Sequence, residues 1–303
     1  MSGLQNATPA PRASPNFTLA HFTDTHLLAE GALLQGMYDT KAVFQSALER
    51  LEQTVSSLDA IVVSGDITDL GEPDAYRIAK ELVEPVAERL GATIVWAAGN
   101  HDDRAALTAA FETSSSAMPY DRVVDVNGLR IIALDSSLEG WHHGGFDEGQ
   151  AEWLETVLET PSPSGSLLVM HHPPVVARKA LMRLLDFHDE QQLREILQQS
   201  DVRAILSGHT HSVTNATFAG IPVHIAGAIS YVDDLGVDPE LLVGLDETQS
   251  FGLVEIYDEA VVHHTIPAKQ HAGVDSLPPH ILEALAQMPY PERQAIFSKK
   301  RDS

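Results

Sequence analysis

The 303-residue sequence has no cysteine, few basic residues and no long apolar run. Without cysteine the chain forms neither disulfides nor thiolate metal sites, and it has no cysteine nucleophile. Nineteen Lys and Arg stand against 43 Asp and Glu, which gives a formal net charge of −24. This charge argues against nucleic acid as a partner, because phosphate backbones attract basic side chains and repel acidic ones. It is compatible with a phosphate substrate, since bound cations can reverse the local charge of a site.

Nothing in the sequence predicts contact with the interior of a membrane. No stretch of about 18 consecutive apolar residues occurs, so we expect no membrane-spanning helix. The start, MSGLQNATPAPRASPN, lacks the basic and apolar segments of a secretory signal. Its Ala, Pro, Ser and Asn content predicts a disordered tail over residues 1–16. We therefore expect a cytoplasmic protein.

Apolar runs rich in β-branched residues alternate with segments of helical periodicity. The predicted strands are Phe17–Phe22, Ala60–Val63, Thr93–Ala97, Leu129–Leu134, Leu167–Met170 and Val202–Leu206. The predicted helices cover residues 40–54, 73–90, 103–111, 147–159 and 188–198. This alternation predicts a mixed α/β domain in which helices cover sheets.

The pattern changes after residue 211, where strands come in pairs. Hairpins are predicted around Ala219-Gly220 and around Asp258-Glu259. We therefore expect an antiparallel C-terminal half. Residues 268–303 are polar and interrupted by Pro, which predicts a peripheral segment with one short helix near Pro279–Gln287.

Polar side chains follow five of the predicted strands at the point where each strand ends. The stretches are FTDTH (Asp24, His26), SGDITD (Asp66, Asp69), AGNHDD (Asn100, His101, Asp102), VMHHPP (His171, His172) and LSGHTHS (His209, His211). Each stretch alone is more typical of a turn or a helix cap. Five of them at the same structural position indicate a site, because sites collect beyond the carboxyl ends of strands in such sheets.

The chemistry of these side chains indicates metal ions. Imidazole, carboxylate and amide ligands without thiolate suit Mn, Fe, Zn, Co or Ni. The cluster has more ligands than one ion needs, and it fits two ions that share a carboxylate. Such a pair clamps the attacking and leaving oxygens of an in-line phosphoryl displacement, and it supplies a hydroxide near neutral pH.

The ordered set DTH, GDITD, GNHD, HH and GHTH resembles the signature of the calcineurin-like metallophosphoesterases. The flanking GEPDAYR, WHHGG, HHPP and SVTNATFAGIPV are most similar to bacterial class III cyclic nucleotide phosphodiesterases. The resemblance implies a four-layer α/β/β/α sandwich of two mixed sheets over residues 17–267. It also implies that residues 175–188 are a cap-like insertion that edges the site and helps to form a homodimer. An ordinary packed helix is the alternative for this insertion.

The resemblance further implies a set of ligands in which Asp66 bridges two ions. The first ion would take Asp24, His26, Asp66 and His211, and the second would take Asp66, Asn100, His171 and His209. The segment that holds the last two histidines is expected to be extended, so that residues i and i+2 face the same side. His172 is the alternative to His171.

In the same family, the residue that matches His101 lies beside the phosphate and does not bind metal. With Asn100 it would bind the substrate, and in protonated form it would stabilise charge or protonate the leaving oxygen. Asp69 is expected to orient His101. Asp102 is the competing partner, or else the N-cap of helix 103–111. His143 is a candidate substrate contact, although WHHGG is more typical of a solvated loop.

The resemblance implies a dinuclear phosphodiesterase that converts 3′,5′-cyclic AMP to 5′-AMP through in-line attack of a metal-bridging hydroxide. Two ions per chain are expected, Mn or Fe first, with Zn and Co as alternatives. Hydrolysis of glycerophosphodiesters or of other phosphodiesters is the alternative activity. A non-catalytic binding protein on this fold is disfavoured, because every ligand position of the signature is filled.

Overall fold

The computed structural model describes residues 14–112, 119–270 and 278–298. They belong to two compact units, one over Pro15–Gln270 and one that includes residues 278–298. Residues 1–13 of the predicted tail lie outside the described part. Its last residue, Asn16, is ordered, because its backbone N–H donates to the carbonyl of Ile256 at 2.7 Å. Among the described residues, no helix has the length and apolar character needed to cross a membrane.

The described strands and helices are numbered in chain order. The strands are β1 (Phe17–Phe22), β2 (Ala60–Ser64), β3 (Thr93–Ala97), β4 (Arg122–Val126), β5 (Leu129–Ala133), β6 (Ser166–Val169), β7 (Val202–Ser207), β8 (Thr214–Phe218), β9 (Ile221–Ile225), β10 (Val232–Asp233), β11 (Gly244–Leu245), β12 (Ser250–Ile256) and β13 (Val261–Pro267). The helices are α1 (Thr40–Thr54), α2 (Pro73–Leu90), α3 (Arg104–Phe111), α4 (Glu148–Leu158), α5 (Glu190–Leu197), α6 (Pro279–Gln287) and α7 (Tyr290–Ser298).

Two mixed sheets form the centre of the larger unit. The first has the order β13-β12-β1-β2-β3, in which β1, β2 and β3 are parallel. The second has the order β4-β5-β6-β7-β9-β8, in which β5, β6, β7 and β9 are parallel. Both predicted hairpins, β8–β9 and β12–β13, are antiparallel. The expected antiparallel C-terminal half is nevertheless wrong for β9, which pairs with β7 in parallel.

Alternating side chains of the strands separate the layers. Ile61 and Val63 of β2 pack with α1 and α2 on the outer face of the first sheet. Val62 points the other way and packs between the two sheets. On the far face of the second sheet, Ile132 and Leu168 pack with α4 and α5. The order helix, sheet, sheet, helix confirms the expected four-layer sandwich.

The elements that the sequence patterns missed have weak apolar signals. In β4, Val123 and Asp125 are exposed, and the strand lies at the edge of its sheet. The ribbon β10–β11 has only two residues in each strand. Helix α7 has no buried residue, so it lacks the apolar stripe by which helices are recognised.

Three histidines of the larger unit form a cluster on β1, β9 and β13. His224 stacks on His263 with ring centroids 4.5 Å apart, and His21 meets His224 edge-on at 6.3 Å. Within the described chain, His224 Nε2 and both ring nitrogens of His263 have no hydrogen-bond partner. Burial lowers the pKa of His224 to about 4, and burial together with His224 lowers that of His263 to about 4. Both rings are therefore neutral in the folded protein at pH 7.

We expect the protein to lose stability between pH 7 and pH 5, in part through His224. The unfolded chain protonates this ring near pH 6.5, whereas the folded chain does so only near pH 4. Because the unfolded state binds more protons in this window, the free energy of unfolding falls by about 2 kcal/mol at pH 5. Denaturant unfolding at both pH values should show that His224→Leu loses about 2 kcal/mol less than the wild type. Equal losses in the two proteins would contradict this account.

Candidate metal centre

The loops that follow β1, β2, β3, β6 and β7 meet at one end of the two sheets. Three groups of side chains place ligand atoms within 4.8 Å of one another: Asp24, His26 and His211; Asp66, His171 and His209; and His26, Asp66 and His101. The first two groups correspond to the two ligand sets that the resemblance implied. The third raises the alternative that His101 is itself a ligand.

Five of these residues have a left-handed backbone conformation. Their φ angles are 51° at Asp24, 42° at His26, 46° at Asp66, 71° at His209 and 53° at His211. This conformation costs roughly 1–3 kcal/mol in a residue other than Gly, and such strain clusters at functional sites. The expected extended segment at 209–211 is therefore wrong. The two histidines reach the centre through left-handed turns and not through the alternation of a strand.

Two glycines allow the loops to approach each other closely. A Cβ at Gly99 would lie 2.2 Å from the backbone nitrogen of Asp66 and 2.3 Å from its Oδ1. A Cβ at Gly208 would lie 1.8 Å from Thr23 Oγ1 and 2.6 Å from Asp24 Oδ2. Any side chain at either position would displace a carboxylate of the centre. The glycines of GNHD and GHTH are functional residues that the sequence analysis did not single out.

Four histidines each use one ring nitrogen to bond an oxygen outside the centre. These bonds join His26 Nδ1 to Asp69 Oδ1 (3.0 Å), His171 Nδ1 to the Ser64 carbonyl (2.9 Å), His209 Nε2 to the Leu185 carbonyl (3.0 Å) and His211 Nδ1 to the Tyr231 carbonyl (3.0 Å). Each N–H donates to its oxygen and leaves the other nitrogen as an acceptor. Such outer bonds are typical of metal-ligating histidines, because they fix the ring orientation and the tautomer.

Unpartnered atoms show that the residues present fit metal ions. Within the described part of the chain, His171 Nε2 and Asn100 Oδ1 are buried and make no hydrogen bond. The Asn100 amide is fixed by its Nδ2, which donates to His142 Nδ1 at 3.0 Å. His171 Nε2 lies 3.1 Å from Asp66 Oδ2. Buried nitrogen and oxygen atoms of this kind need a partner, and a metal ion that prefers nitrogen and oxygen ligands supplies one.

His172, the alternative to His171, is not free to bind an ion. Its Nδ1 lies 2.9 Å from Ser136 Oγ, and its Nε2 lies 3.1 Å from the His142 carbonyl. Both ring nitrogens are therefore used within the protein. Burial and the neighbouring His171 lower the pKa of His172 to about 3.

Asp66 is ionised in the centre although it is buried. Burial opposes its ionisation, but His171 and His26 lower its pKa well below the usual range. Burial also opposes a proton on His171, but Asp66 raises the pKa of that ring to about 9. Burial lowers the pKa of His211 to about 4 and that of His209 well below its usual value. An ionised Asp66 beside the neutral rings of His209 and His211 suits a cation, which would take the place of the proton that Asp66 stabilises on His171.

His101 lies at the rim of the centre, with 31% of its side chain exposed. Its backbone N–H donates to Asp66 Oδ1 at 2.8 Å, and its Nδ1 lies 2.9 Å from the backbone carbonyl of Asp69. The Asp69 carboxylate lies 3.5 Å from the same nitrogen and bonds to His26 instead. Asp69 thus contacts His101 through its backbone, while its carboxylate holds a candidate metal ligand.

Neither role considered for Asp102 agrees with the structure. Its carboxylate accepts three backbone N–H groups from the GDITD and GNHD loops and the hydroxyl of Tyr76, at 3.0 Å. Among the residues that the structure describes, Asp102 makes no hydrogen bond to His101. The N-cap of α3 is Asp103, which accepts the N–H of Ala106 at 2.8 Å. Asp102 therefore ties two ligand-bearing loops together.

The centre opens into a cavity of about 450 Å³. Beside the polar centre, the lining contains apolar and aromatic residues, which we call the apolar wall: Leu34, Tyr38, Leu181, Met182, Leu185, Tyr231, Leu242 and Val243. Residues 175–188 contain a short 3₁₀ helix, Met182–Leu185, and the role of this segment as a cap stays a prediction. The sequence analysis did not predict that residues from the segment 231–244 line this cavity.

The WHHGG loop reaches the cavity through a different residue from the one expected. His142 lines the cavity, whereas His143 does not and instead stacks on His188 at 4.3 Å. Substrate contact by His143 stays a prediction without geometric support. The structure favours His142 for that position.

Comparison with known proteins identifies the family. Residues 17–213 match the family model described as Calcineurin-like phosphoesterase. The chain belongs to this family. As a calcineurin-like phosphoesterase it is a metal-dependent hydrolase, which confirms the predicted reaction class. The family uses a dinuclear metal site, for which this chain supplies groups of His and Asp.

Similar proteins cover most of this calcineurin-like phosphoesterase. It is 44% identical over 259 residues to a "cAMP/cGMP dual specificity phosphodiesterase" of Mycobacterium tuberculosis. The matched residues cover 85% of this chain and 81% of the relative. It is 41% identical over 261 residues to a "Probable cyclic nucleotide phosphodiesterase" of Rhodococcus erythropolis, with 86% of each covered. Among solved structures, GAP50 of Plasmodium shares the fold with a TM-score of 0.53 at 14% identity, over 86% of this chain and 87% of that one.

Proposed function

We propose that this calcineurin-like phosphoesterase hydrolyses 3′,5′-cyclic AMP to 5′-AMP. The observation that carries the proposal is the cavity of about 450 Å³, whose lining combines the apolar wall with the polar centre. Such a wall offers burial to a nucleoside, while the polar side receives the phosphate. The relatives at 44% and 41% identity, named as cyclic nucleotide phosphodiesterases, support the same substrate class.

Two metal sites are assigned to the residues that converge on Asp66. The first ion would be held by Asp24, His26, Asp66 and His211, and the second would be held by Asp66, Asn100, His171 and His209. Nitrogen and oxygen ligands without thiolate favour Mn or Fe, with Zn and Co as alternatives. When bound, such ions act as Lewis acids toward phosphoryl oxygens and lower the pKa of water.

His101 is assigned as the acid. Its Nδ1–H donates to the Asp69 carbonyl, so a second proton placed on Nε2 makes the imidazolium. In-line displacement forms a bond from the water oxygen to phosphorus and breaks the P–O3′ bond. The Nε2 proton of His101 completes the 3′-hydroxyl, and the proton that the water loses passes to solvent. The product is 5′-AMP. Asn100, fixed by His142, positions the phosphate beside His101. The homodimer and the cytoplasmic location stay predictions.

We expect 5′-AMP as the product from 3′,5′-cyclic AMP in the presence of Mn²⁺. Bis(p-nitrophenyl) phosphate should also show a higher kcat/KM than p-nitrophenyl phosphate, because the apolar wall gains contacts with a second ester arm. Chromatography of the cyclic AMP products and colorimetric rates measure both effects.

A glycerophosphodiester is the second candidate substrate. A "Glycerophosphodiester phosphodiesterase" of Enterobacter lignolyticus is 29% identical over 219 residues, which cover 68% of this chain and 77% of the relative. Rapid cleavage of glycerophosphocholine, with cyclic AMP left intact, would contradict the proposed substrate. The assignment of the metal centre would still hold.

A further inference from the structure

A second groove, of about 490 Å³, meets the catalytic cavity at Asn100 and His142. Both residues line both spaces, and the 3.0 Å hydrogen bond between their side chains forms the shared wall. Cyclic AMP has a single nucleoside, and the proposed function assigns it to the main cavity. The groove therefore has no part in the reaction proposed above, although it adjoins the position of the phosphate.

The groove offers an exposed aromatic ring. Trp141 lines it and has 63% of its surface exposed. The indole is supported within its loop, because it lies 5.2 Å from the His143 ring, which stacks on His188. The Trp141 backbone N–H also donates to the Leu138 carbonyl at 3.0 Å. A supported indole beside a groove suits stacking with a planar ring such as a nucleobase.

The charges of the groove select against a further phosphate. Its acidic residues are Asp102, Asp103 and Glu139. Its basic residue, Arg104, is already engaged, because its Nε donates to Asp135 Oδ2 at 2.7 Å and its guanidinium also bonds the Ser137 carbonyl. A neutral planar group fits this environment, whereas a second phosphate would be repelled.

We infer that this groove is a second nucleoside subsite, and that the enzyme also cleaves linear diesters in which one phosphate joins two nucleosides. The inference rests on the proposed function. With the phosphate at the metal centre, one nucleoside occupies the main cavity and the other stacks on Trp141. For adenylyl-(3′→5′)-adenosine, water attacks phosphorus and the P–O3′ bond breaks. The O3′ oxygen takes a proton, which yields adenosine and 5′-AMP.

The test compares this dinucleoside with the methyl ester of 5′-AMP, whose second arm is a single carbon. Stacking should raise kcat/KM for the dinucleoside roughly tenfold or more over the methyl ester. Trp141→Ala should lower kcat/KM for the dinucleoside by about tenfold and leave the methyl ester within about twofold. Trp141→Phe should keep most of the advantage. Val123→Ala, at an exposed apolar residue of the β4 edge strand, serves as the matched control.

The outcomes separate the subsite from the proposed function. If Trp141→Ala changes both esters equally, or changes neither, the subsite is wrong while the hydrolysis of diesters stands. If the wild type cleaves neither ester nor cyclic AMP, the proposed function fails and the subsite fails with it. A dinucleoside with an added 5′-terminal phosphate should react no faster than the one without it. A faster reaction would contradict a subsite for a neutral arm.

Discussion

Replacement of Asp66 by Asn is expected to remove metal from both sites and to lower kcat/KM by more than about 10³-fold. Asp66 Oδ2 lies 3.5 Å from His26 Nε2 and 3.1 Å from His171 Nε2, so one carboxylate faces both groups of ligands. An amide at this position keeps the size of the side chain and removes its charge. No other residue belongs to both assigned sites, and so no other single substitution should affect both ions equally.

Metal analysis of the purified protein, beside rates with bis(p-nitrophenyl) phosphate, measures this effect. Asp125→Asn is the matched control, because Asp125 is an exposed carboxylate of the β4–β5 hairpin. It should retain the metal content and the activity of the wild type. Two bound ions and near-normal rates in Asp66→Asn would show that Asp66 does not bridge.

Replacement of His101 by Ala is expected to slow hydrolysis by about 10²–10⁴-fold while both ions stay bound. The ring has its Nδ1 on the Asp69 carbonyl and lines the cavity, which is the geometry of a proton donor to the substrate. The loss should be smaller for p-nitrophenyl esters than for cyclic AMP, because a good leaving group needs less help from an acid.

The metal content decides between the two roles that geometry allows for His101. Its ring nitrogen also lies within 4.8 Å of the ligand atoms of His26 and Asp66. Loss of an ion from His101→Ala would place the residue among the ligands. Retention of both ions, with an equal loss of rate for good and poor leaving groups, would contradict proton donation.

Much of this centre could be predicted from the sequence, because its side chains follow strands that the apolar pattern reveals. Asp24, Asp66 and Asn100 each come shortly after a parallel strand of one sheet, and such strand ends meet at one edge. His171 and His209 follow strands of the other sheet in the same way. The residue types then limit the chemistry to a metal centre without thiolate.

The partners that hold these ligands could not be predicted. Ser64, Leu185 and Tyr231 act through backbone carbonyls, which carry no side-chain signal. The role of Asp102 depends on the hydroxyl of Tyr76, which lies 26 residues away in the chain and becomes a neighbour only on folding. The choice of His142 over His143 likewise depends on how the loop turns.

The ligands come from both sheets. The distances between them therefore depend on how the two sheets are positioned against each other. Asp24, His26 and Asp66 follow strands of the first sheet, whereas His171 and His209 follow strands of the second. The contact surface between the sheets consists of apolar side chains such as Val62 and Ile131. A shift of about 1 Å at this surface would alter the spacing of the ligands and could slow catalysis by about 100-fold. The alignment of the reacting atoms is thus set by hydrocarbon packing in the interior of the sandwich.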